Sequence, residues 1–136
     1  MKTKKNRKRI LIVDDEESIV MFLTRRLRNW GYDVLTATSG REGLQIVERE
    51  CPDLVLLDIL MPEMDGREVC AEIKAKPKFA TIPVVFLTAL GMPEQIEEGF
   101  RVGPADYIVK PFEPEDMKYR IEACLGRKNR SLICSN

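Results

Sequence analysis

Short, uninterrupted runs of aliphatic residues alternate with stretches of helical periodicity along most of this chain of 136 residues. The clearest runs are Ile10–Val13, Leu54–Leu57 and Val84–Leu87, while Tyr107–Val109 is shorter and Val34–Ala37 is the weakest. A run without polar alternation is typical of a strand that is buried on both faces, as in a parallel sheet. The alternation of such runs with helices predicts an α/β protein, with right-handed crossovers and helices on both faces of one parallel sheet.

Five amphipathic helices are predicted, one after each strand. In the first helix, apolar side chains recur at Ile19, Leu23 and Leu27, and Gly31 should end it. The other four should span residues 41–49, with Ser39 as the cap, 67–76, 93–102 and 114–125. Five strands fit the flavodoxin-like order 2-1-3-4-5 better than a six-stranded dinucleotide-binding sheet.

The composition is that of an ordinary globular domain, with 44% hydrophobic and 32% charged residues. We expect one domain at residues 9–126, a basic tail at residues 1–8, and a second tail or the start of a linker at residues 127–136. No apolar run approaches the ~18 residues of a membrane span. The basic N-terminus is not followed by the apolar stretch of a secretion signal, so a cytoplasmic protein is favoured.

The chain contains no histidine, which excludes Ser-His-Asp triads, cysteine–histidine pairs and HExxH metal sites within it. Its four cysteines show no CxxC spacing, and we expect Cys51, Cys70 and Cys124 to be small buried side chains. All 22 acidic residues lie within residues 10–126, where they outnumber the basic residues by nine. Such an acidic body predicts no direct nucleic-acid binding by residues 9–126 and no membrane association.

Polar side chains directly follow four of the five predicted strands. Asp14 and Asp15 follow the first strand, Asp58 the third, Thr88 the fourth and Lys110 the fifth. Each has an ordinary alternative explanation as a helix-end charge, a turn residue, a local hydrogen-bonding group or a surface charge. Ligands of open parallel sheets bind outside the carboxyl ends of the strands, so the joint occurrence of these side chains there favours a shared site.

The residue types at this predicted site indicate phosphoryl chemistry. Three neighbouring carboxylates repel one another unless a cation lies between them, and ligands that are all oxygen select a hard cation such as Mg²⁺, with Mn²⁺ as a substitute. A carboxylate beside the ion can attack phosphorus, while a lysine and a threonine hydroxyl hold the charged phosphoryl oxygens. The sequence therefore predicts a site where an aspartate accepts a phosphoryl group.

Four segments, ILIVDDEES, PDLVLLDILMPEMDG, PVVFLTAL and DYIVKPF, occur in an order that resembles the receiver domains of bacterial response regulators. The resemblance covers about residues 9–126. It implies that Asp58 is the phosphoacceptor of a two-component system. It also implies that Asp14, Asp15, Asp58 and the backbone carbonyl of Leu60 hold Mg²⁺.

The same resemblance assigns the phosphate-binding and switch residues. Thr88, Ala89 and Lys110 should contact the phosphoryl group, and Thr88 and Tyr107 should change position when it is present. The bond before Pro111 should be cis. Residues 102–106, which lead into the fourth segment, read Val-Gly-Pro-Ala-Asp. This stretch departs from the family pattern, because a proline takes the place of a small residue.

The resemblance also implies the partners. A phosphohistidine donor must lie on another protein, since this chain has no histidine, and a sensor histidine kinase or a histidine phosphotransfer protein is expected. Phosphorylation should alter the surface formed by the fourth and fifth predicted helices and the fifth strand. A downstream effector protein or output domain should read that surface, and a homodimer through it is a further expectation.

Two details limit the predicted chemistry. Leu60 and Leu90 occupy positions at which polar residues of the family can position an attacking water, so slow self-dephosphorylation is expected. The protein is not expected to be an enzyme beyond its own phosphorylation and dephosphorylation. The alternatives that remain open are a Mg²⁺-dependent phosphatase of the haloacid dehalogenase type, although the Asp-x-Asp motif after the first strand is lacking, and an interaction module that never accepts phosphate.

Overall fold

The computed structural model describes residues 7–89 and 103–134, with side chains described as far as residue 126. The predicted helix at residues 93–102, Leu90 and most of the two predicted tails lie outside the described side chains. Five strands and four helices are found in the described ranges: β1 (Arg9–Val13), α1 (Glu17–Asn29), β2 (Asp33–Ala37), α2 (Gly40–Glu50), β3 (Leu54–Asp58), α3 (Gly66–Ala75), β4 (Val84–Ala89), β5 (Asp106–Lys110) and α4 (Pro114–Cys134).

The five strands form one parallel sheet in the order β2-β1-β3-β4-β5, which confirms the predicted fold class. The chain places β2 on one side of β1 and the later strands on the other side, so β1 and β3 are neighbours although they are not consecutive. Asp58 at the end of β3 pairs in register with Leu87, and Lys110 at the end of β5 pairs with Ala89. The carboxyl ends of β1, β3, β4 and β5 therefore share one edge.

Alternate residues of the central strands supply two separate cores. Leu11, Leu57 and Phe86 belong to the core beneath α2 and α3, whereas Ile12 and Leu56 belong to the core beneath α1 and α4. All five of these side chains are fully buried. The uninterrupted aliphatic runs are thus explained by burial on both faces of the sheet.

Local signals set the ends of the first three helices. Gly31, at φ +93°, donates its N–H to the carbonyl of Arg28, and the N–H of Tyr32 bonds the carbonyl of Leu27, which together form a Schellman motif after α1. The Ser39 hydroxyl accepts the N–H of Glu42 at 3.1 Å and caps α2, as predicted. The side chain of Asp65 caps α3, and Glu68 completes the capping box.

Two details of the predicted elements were wrong. Cys51 is exposed, because it follows α2 in the left-handed conformation with φ 48° and its side chain leaves the core; Cys70 and Cys124 are buried as predicted. The last helix runs to Cys134 rather than residue 125, because Gly126 does not adopt a positive φ and so does not end it. Within the described part of the chain, no helix combines the length and apolar character needed to cross a membrane.

Candidate functional site

The acidic residues after β1 are held by backbone contacts. The N–H of Asp14 donates to the carbonyl of Ala37 at 3.1 Å, which continues the pairing of β1 with β2 by one residue. Oδ1 of Asp14 accepts the N–H of Glu16 at 2.9 Å, so the carboxylate is fixed against the backbone just before α1. Asp14 is fully buried, whereas Asp15 is exposed. The pair therefore presents one fixed and one solvent-facing carboxylate.

Asp58 is the last residue of β3 and is only 7% exposed. The loop that follows it folds back, because Gly66 donates its N–H to the carbonyl of Ile59 at 2.7 Å. A Cβ at position 66 would lie 2.3 Å from the backbone oxygen of Asp58, so only glycine permits this approach. Gly66 thus allows α3 to start directly beside Asp58 and helps to set the position of its backbone.

The sheet brings the predicted carboxylates and lysine together. One carboxylate oxygen from each of Asp14, Asp15 and Asp58 lies within 4.8 Å of the others. Nζ of Lys110 lies 3.2 Å from Oδ2 of Asp14 and 3.5 Å from Oδ1 of Asp58. Among residues 7–89 and 103–126, only three polar side chains are buried, and two of them are Asp14 and Asp58; the third is Thr88.

A cavity of about 190 Å³ opens beside this cluster. Thr88, 4% exposed, lies at the end of β4, and its hydroxyl makes a long 3.5 Å contact with the carbonyl of Ala89. Leu60, at 48% exposure, forms an apolar part of the cavity wall. The residues that line the cavity are Glu16, Asp58, Ile59, Leu60, Leu87, Thr88, Ala89 and Lys110.

The electrostatics of the site are dominated by burial and by the excess of carboxylates. Burial and, after it, the charge of Asp14 raise the pKa of Asp58 to about 7, although Lys110 lowers it in part. Burial lowers the pKa of Lys110, but the carboxylates of Asp58 and Asp14 outweigh that effect and raise it overall. Lysine 110 therefore stays charged, and a single lysine does not neutralise the cluster.

This donor set fits a hard divalent cation. All the ligand atoms are carboxylate oxygens, one carboxylate is solvent-facing, and the open cavity leaves room for water. Mg²⁺ is bound in proteins by one or two carboxylates together with waters and phosphate oxygens. The raised pKa of Asp58 reflects burial beside other carboxylates, a charge excess that a bound divalent cation would offset.

Tyr107 lies in an inward position and is 7% exposed. Its ring centroid is 5.4 Å from that of Phe86, the residue it pairs with on β4. Burial raises its pKa to about 12, and Cys70 contributes to the increase. On the same strand, Oδ1 of Asp106 accepts the N–H of Tyr107 and Nη1 of Arg120 on α4, each at 2.8 Å. The Lys110–Pro111 peptide bond is cis, as the resemblance implied.

Two contributors to the site were missed by sequence reasoning. Glu16 lines the cavity, and its charge acts on Lys110; its place directly after the acidic pair was the available signal. The role of Gly66 was also missed, because its close approach to the backbone of Asp58 requires knowledge of how the loop after β3 folds back.

The fold and the site together define a class: a parallel α/β domain of flavodoxin-like topology with an acidic, lysine-containing site at the carboxyl edge of the sheet. Residues 10–122 match the family model described as the response regulator receiver domain. The chain belongs to this family, and residues 10–122 form a receiver domain of the two-component type. Members of the family are signalling proteins, generally not enzymes.

Individual relatives and solved structures are similar over nearly the whole chain. The "Probable transcriptional regulator ycf27" of Guillardia theta is 44% identical over 130 residues, which are 96% of this chain and 50% of that protein. The "Alkaline phosphatase synthesis transcriptional regulatory protein PhoP" of Bacillus subtilis is 42% identical over 120 residues, 88% of this chain and 49% of that protein. This chain thus spans about half the length of these curated relatives.

Among solved structures, chemotaxis protein CheY4 of Vibrio cholerae superposes with a TM-score of 0.82 at 32% identity, covering 87% of this chain and 98% of that one. A CheY-like receiver domain protein of Methanospirillum hungatei gives a TM-score of 0.86 at 30% identity, with 93% and 99% covered. Neither the phosphatase nor the inert interaction module, the two alternatives left open by the sequence, is favoured by these matches.

Proposed function

We propose that Asp58 accepts a phosphoryl group from a phosphohistidine on a partner protein. A carboxylate oxygen of Asp58 attacks phosphorus, a P–O bond forms and the P–N bond breaks. The leaving imidazole keeps the electron pair and takes up a proton. The observation that carries this proposal is the burial of Asp58 at a cavity wall, between two further carboxylates and 3.5 Å from the lysine amine.

We assign Asp14, Asp15 and Asp58, with the backbone carbonyl of Leu60, as the residues that would hold Mg²⁺ or Mn²⁺. The close grouping of the three carboxylates supports this assignment. When bound, the ion would offset the carboxylate charge and polarise a phosphoryl oxygen. The fixed carboxylate of Asp14 and the solvent-facing carboxylate of Asp15 suit an ion that keeps part of its water shell.

The phosphoryl oxygens would be held by Lys110, by the hydroxyl of Thr88 and by the backbone at Ala89. The position of all three on the cavity wall supports this role. The Lys110 amine already lies within ion-pair distance of the attacking carboxylate, so it needs little movement to follow the charge onto phosphorus. The hydroxyl of Thr88 makes only a long contact in this state and is available to turn toward a phosphoryl oxygen.

The output of this chemistry would be a changed surface. A phosphoryl group adds roughly −1.5 to −2 charges and three acceptor oxygens, which would draw Thr88 inward and favour the inward Tyr107. The surface that changes comprises β5, α4 and the segment before β5. We propose that an effector or output domain reads it, that copies of the chain pair through it, and that transcription is the process controlled, since relatives are named transcriptional regulators.

The phosphoryl donor and the extent of catalysis by the domain follow from the same site. A sensor histidine kinase or a histidine phosphotransfer protein would supply the phosphoryl group, and residues 9–126 would act as the unit that receives it. The domain would catalyse only its own phosphorylation and slow dephosphorylation. Turnover of p-nitrophenyl phosphate would contradict this limit, because a receiver does not release product repeatedly at the rate of a phosphatase.

The test is intact-mass spectrometry after incubation with acetyl phosphate and Mg²⁺. The wild-type chain should gain the mass of one phosphoryl group, and EDTA should prevent the gain. Asp58→Asn should gain nothing, whereas Asp33→Asn, at the opposite end of the sheet, should behave as wild type. Lys110→Gln should slow the gain strongly, by roughly 10²-fold if it removes one transition-state contact. Equal modification of wild type and Asp58→Asn would contradict the proposal.

A further inference from the structure

Cys70, on α3, is fully buried in the same core cluster as Tyr107. The cysteine and the tyrosine are close enough for the charge of the thiolate to raise the pKa of the Tyr107 hydroxyl. Phe86 also packs beside the tyrosine ring, with the two ring centroids 5.4 Å apart. The inward ring thus packs against Phe86 of the sheet, and the small side chain of Cys70 on α3 belongs to the same core cluster.

The α3 wall is held firmly. Nζ of Lys74, one turn after Cys70, donates to the carbonyls of Ala80 at 3.0 Å and Ile82 at 2.6 Å, which ties the helix to the segment leading into β4. At the other end, Asp65 caps the helix. Because α3 is held in place, a change in the position of the Tyr107 ring determines whether the side chain at position 70 is covered or exposed.

We propose that Cys70 is a positioning residue for Tyr107: its small side chain makes the space that the inward ring occupies, and the ring in turn shields the thiol from solvent. This inference rests on the proposed function, in which Tyr107 is a switch residue. It follows that the reactivity of Cys70 reports the position of the ring, and that a larger side chain at position 70 displaces the ring outward.

The first test measures alkylation of the wild-type chain by N-ethylmaleimide, in which the sulfur adds to the double bond and the thiol proton ends on carbon. Peptide mass spectrometry gives a separate rate for each thiol. Exposed Cys51 should react fast, and buried Cys70 and Cys124 slowly. If the outward state of Tyr107 is populated at about 1–10%, Tyr107→Ala should raise the rate at Cys70 by roughly 10- to 100-fold.

A matched control separates shielding from general loosening. Ile108 is the next residue on β5 and is also buried, but it faces the opposite core, where Cys124 lies. Ile108→Ala should therefore raise the rate at Cys124 more than at Cys70, and Tyr107→Ala should do the reverse. If Cys70 reacts no faster in Tyr107→Ala than in Ile108→Ala, the ring does not shield the thiol and the proposal is overturned.

A second measurement tests the effect of the side chain at position 70 on the ring. The NMR signals of a ¹³C-labelled Tyr107 ring should be retained in Cys70→Ser, which is similar in size, and shifted toward those of an exposed tyrosine in Cys70→Met. Signals that are the same in both variants would overturn the positioning role. Both variants should still gain the phosphoryl group at Asp58, because neither alters the cluster of carboxylates.

Phosphorylation provides the last comparison. Addition of acetyl phosphate and Mg²⁺ should slow alkylation of Cys70 several-fold, as far as Tyr107 is drawn inward, and leave Cys51 unchanged. The mass gain on Asp58 is recorded in the same sample. Phosphorylation without any change at Cys70 counts against the proposal. A chain that is not phosphorylated at all contradicts the proposed function instead, and the comparison of Tyr107→Ala with Ile108→Ala still decides the role of Cys70.

Discussion

Replacement of Asp58 by asparagine should stabilise the metal-free protein at neutral and alkaline pH. Burial and the neighbouring Asp14 raise the pKa of Asp58 from its ordinary value of 3.8 to about 7. The folded state therefore disfavours the charged carboxylate relative to the unfolded state. Asparagine has nearly the same shape without the charge, so the substitution removes this cost and preserves the packing.

The magnitude follows from the shift. Three pKa units at about 1.4 kcal/mol each set a ceiling of roughly 4 kcal/mol. Solvent at the cavity screens the charge, and we expect about half of that, near 2 kcal/mol. The cost is fully present above the folded pKa of about 7, decreases as the pH falls, and is absent below the unfolded value of 3.8. The gain for Asp58→Asn should decrease in the same way.

The assay is urea denaturation in EDTA at pH 8, 6 and 4. Asp65→Asn is the control with the opposite sign. Burial raises the pKa of Asp65, but its hydrogen bonds to Arg67 and Glu68 lower it overall, so this carboxylate stabilises the fold until the pH falls through its folded pKa. A gain for Asp58→Asn that is equal at pH 8 and pH 4, or a loss at pH 8, would refute the reasoning.

Four further substitutions have defined outcomes. Gly66→Ala should lower the free energy of unfolding by about 1–3 kcal/mol, because its Cβ meets the backbone of Asp58, whereas Gly126→Ala, with open space around its Cβ, should raise it by about 0.5–1 kcal/mol; urea denaturation measures both. Leu60→Asn should shorten the phosphoryl half-life by positioning water, and a wild-type half-life of seconds would contradict the expected slow loss. Cys51→Gly should stabilise the fold by about 0.5–1 kcal/mol in thermal unfolding, because φ is 48° there.

Much of the fold was predictable because a few residues report their environment directly. The continuous run Leu54–Leu57 indicated a strand buried on both faces, and the structure buries all four side chains completely. Gly31 and Ser39 indicated helix ends, and both act there as predicted. These signals are local: a strand face or a helix end depends on residues that are close in sequence, so a single sequence suffices to find them.

The proximity of the carboxylates and Lys110 was predictable, but their electrostatics were not. Strand order alone brings Asp14, Asp58 and Lys110 to one edge, so their proximity followed from topology. The balance of charge depends on the distances between side chains that are far apart in the sequence. No sequence pattern shows that Lys110 lies closer to Asp14 than to Asp58. The exposure of Cys51 was missed for a similar reason, since it depends on the backbone conformation after α2.

Helix α4 is long enough to act as a lever. Its 21 residues span about 32 Å at 1.5 Å per residue, nearly twice the length of a strand of this sheet. Arg120, close to one third of the way along it, is bonded to Asp106 at the start of β5. A tilt of a few degrees about that anchor would move the far end of the helix by an ångström or two, so a small adjustment in β5 is magnified before it reaches anything attached there.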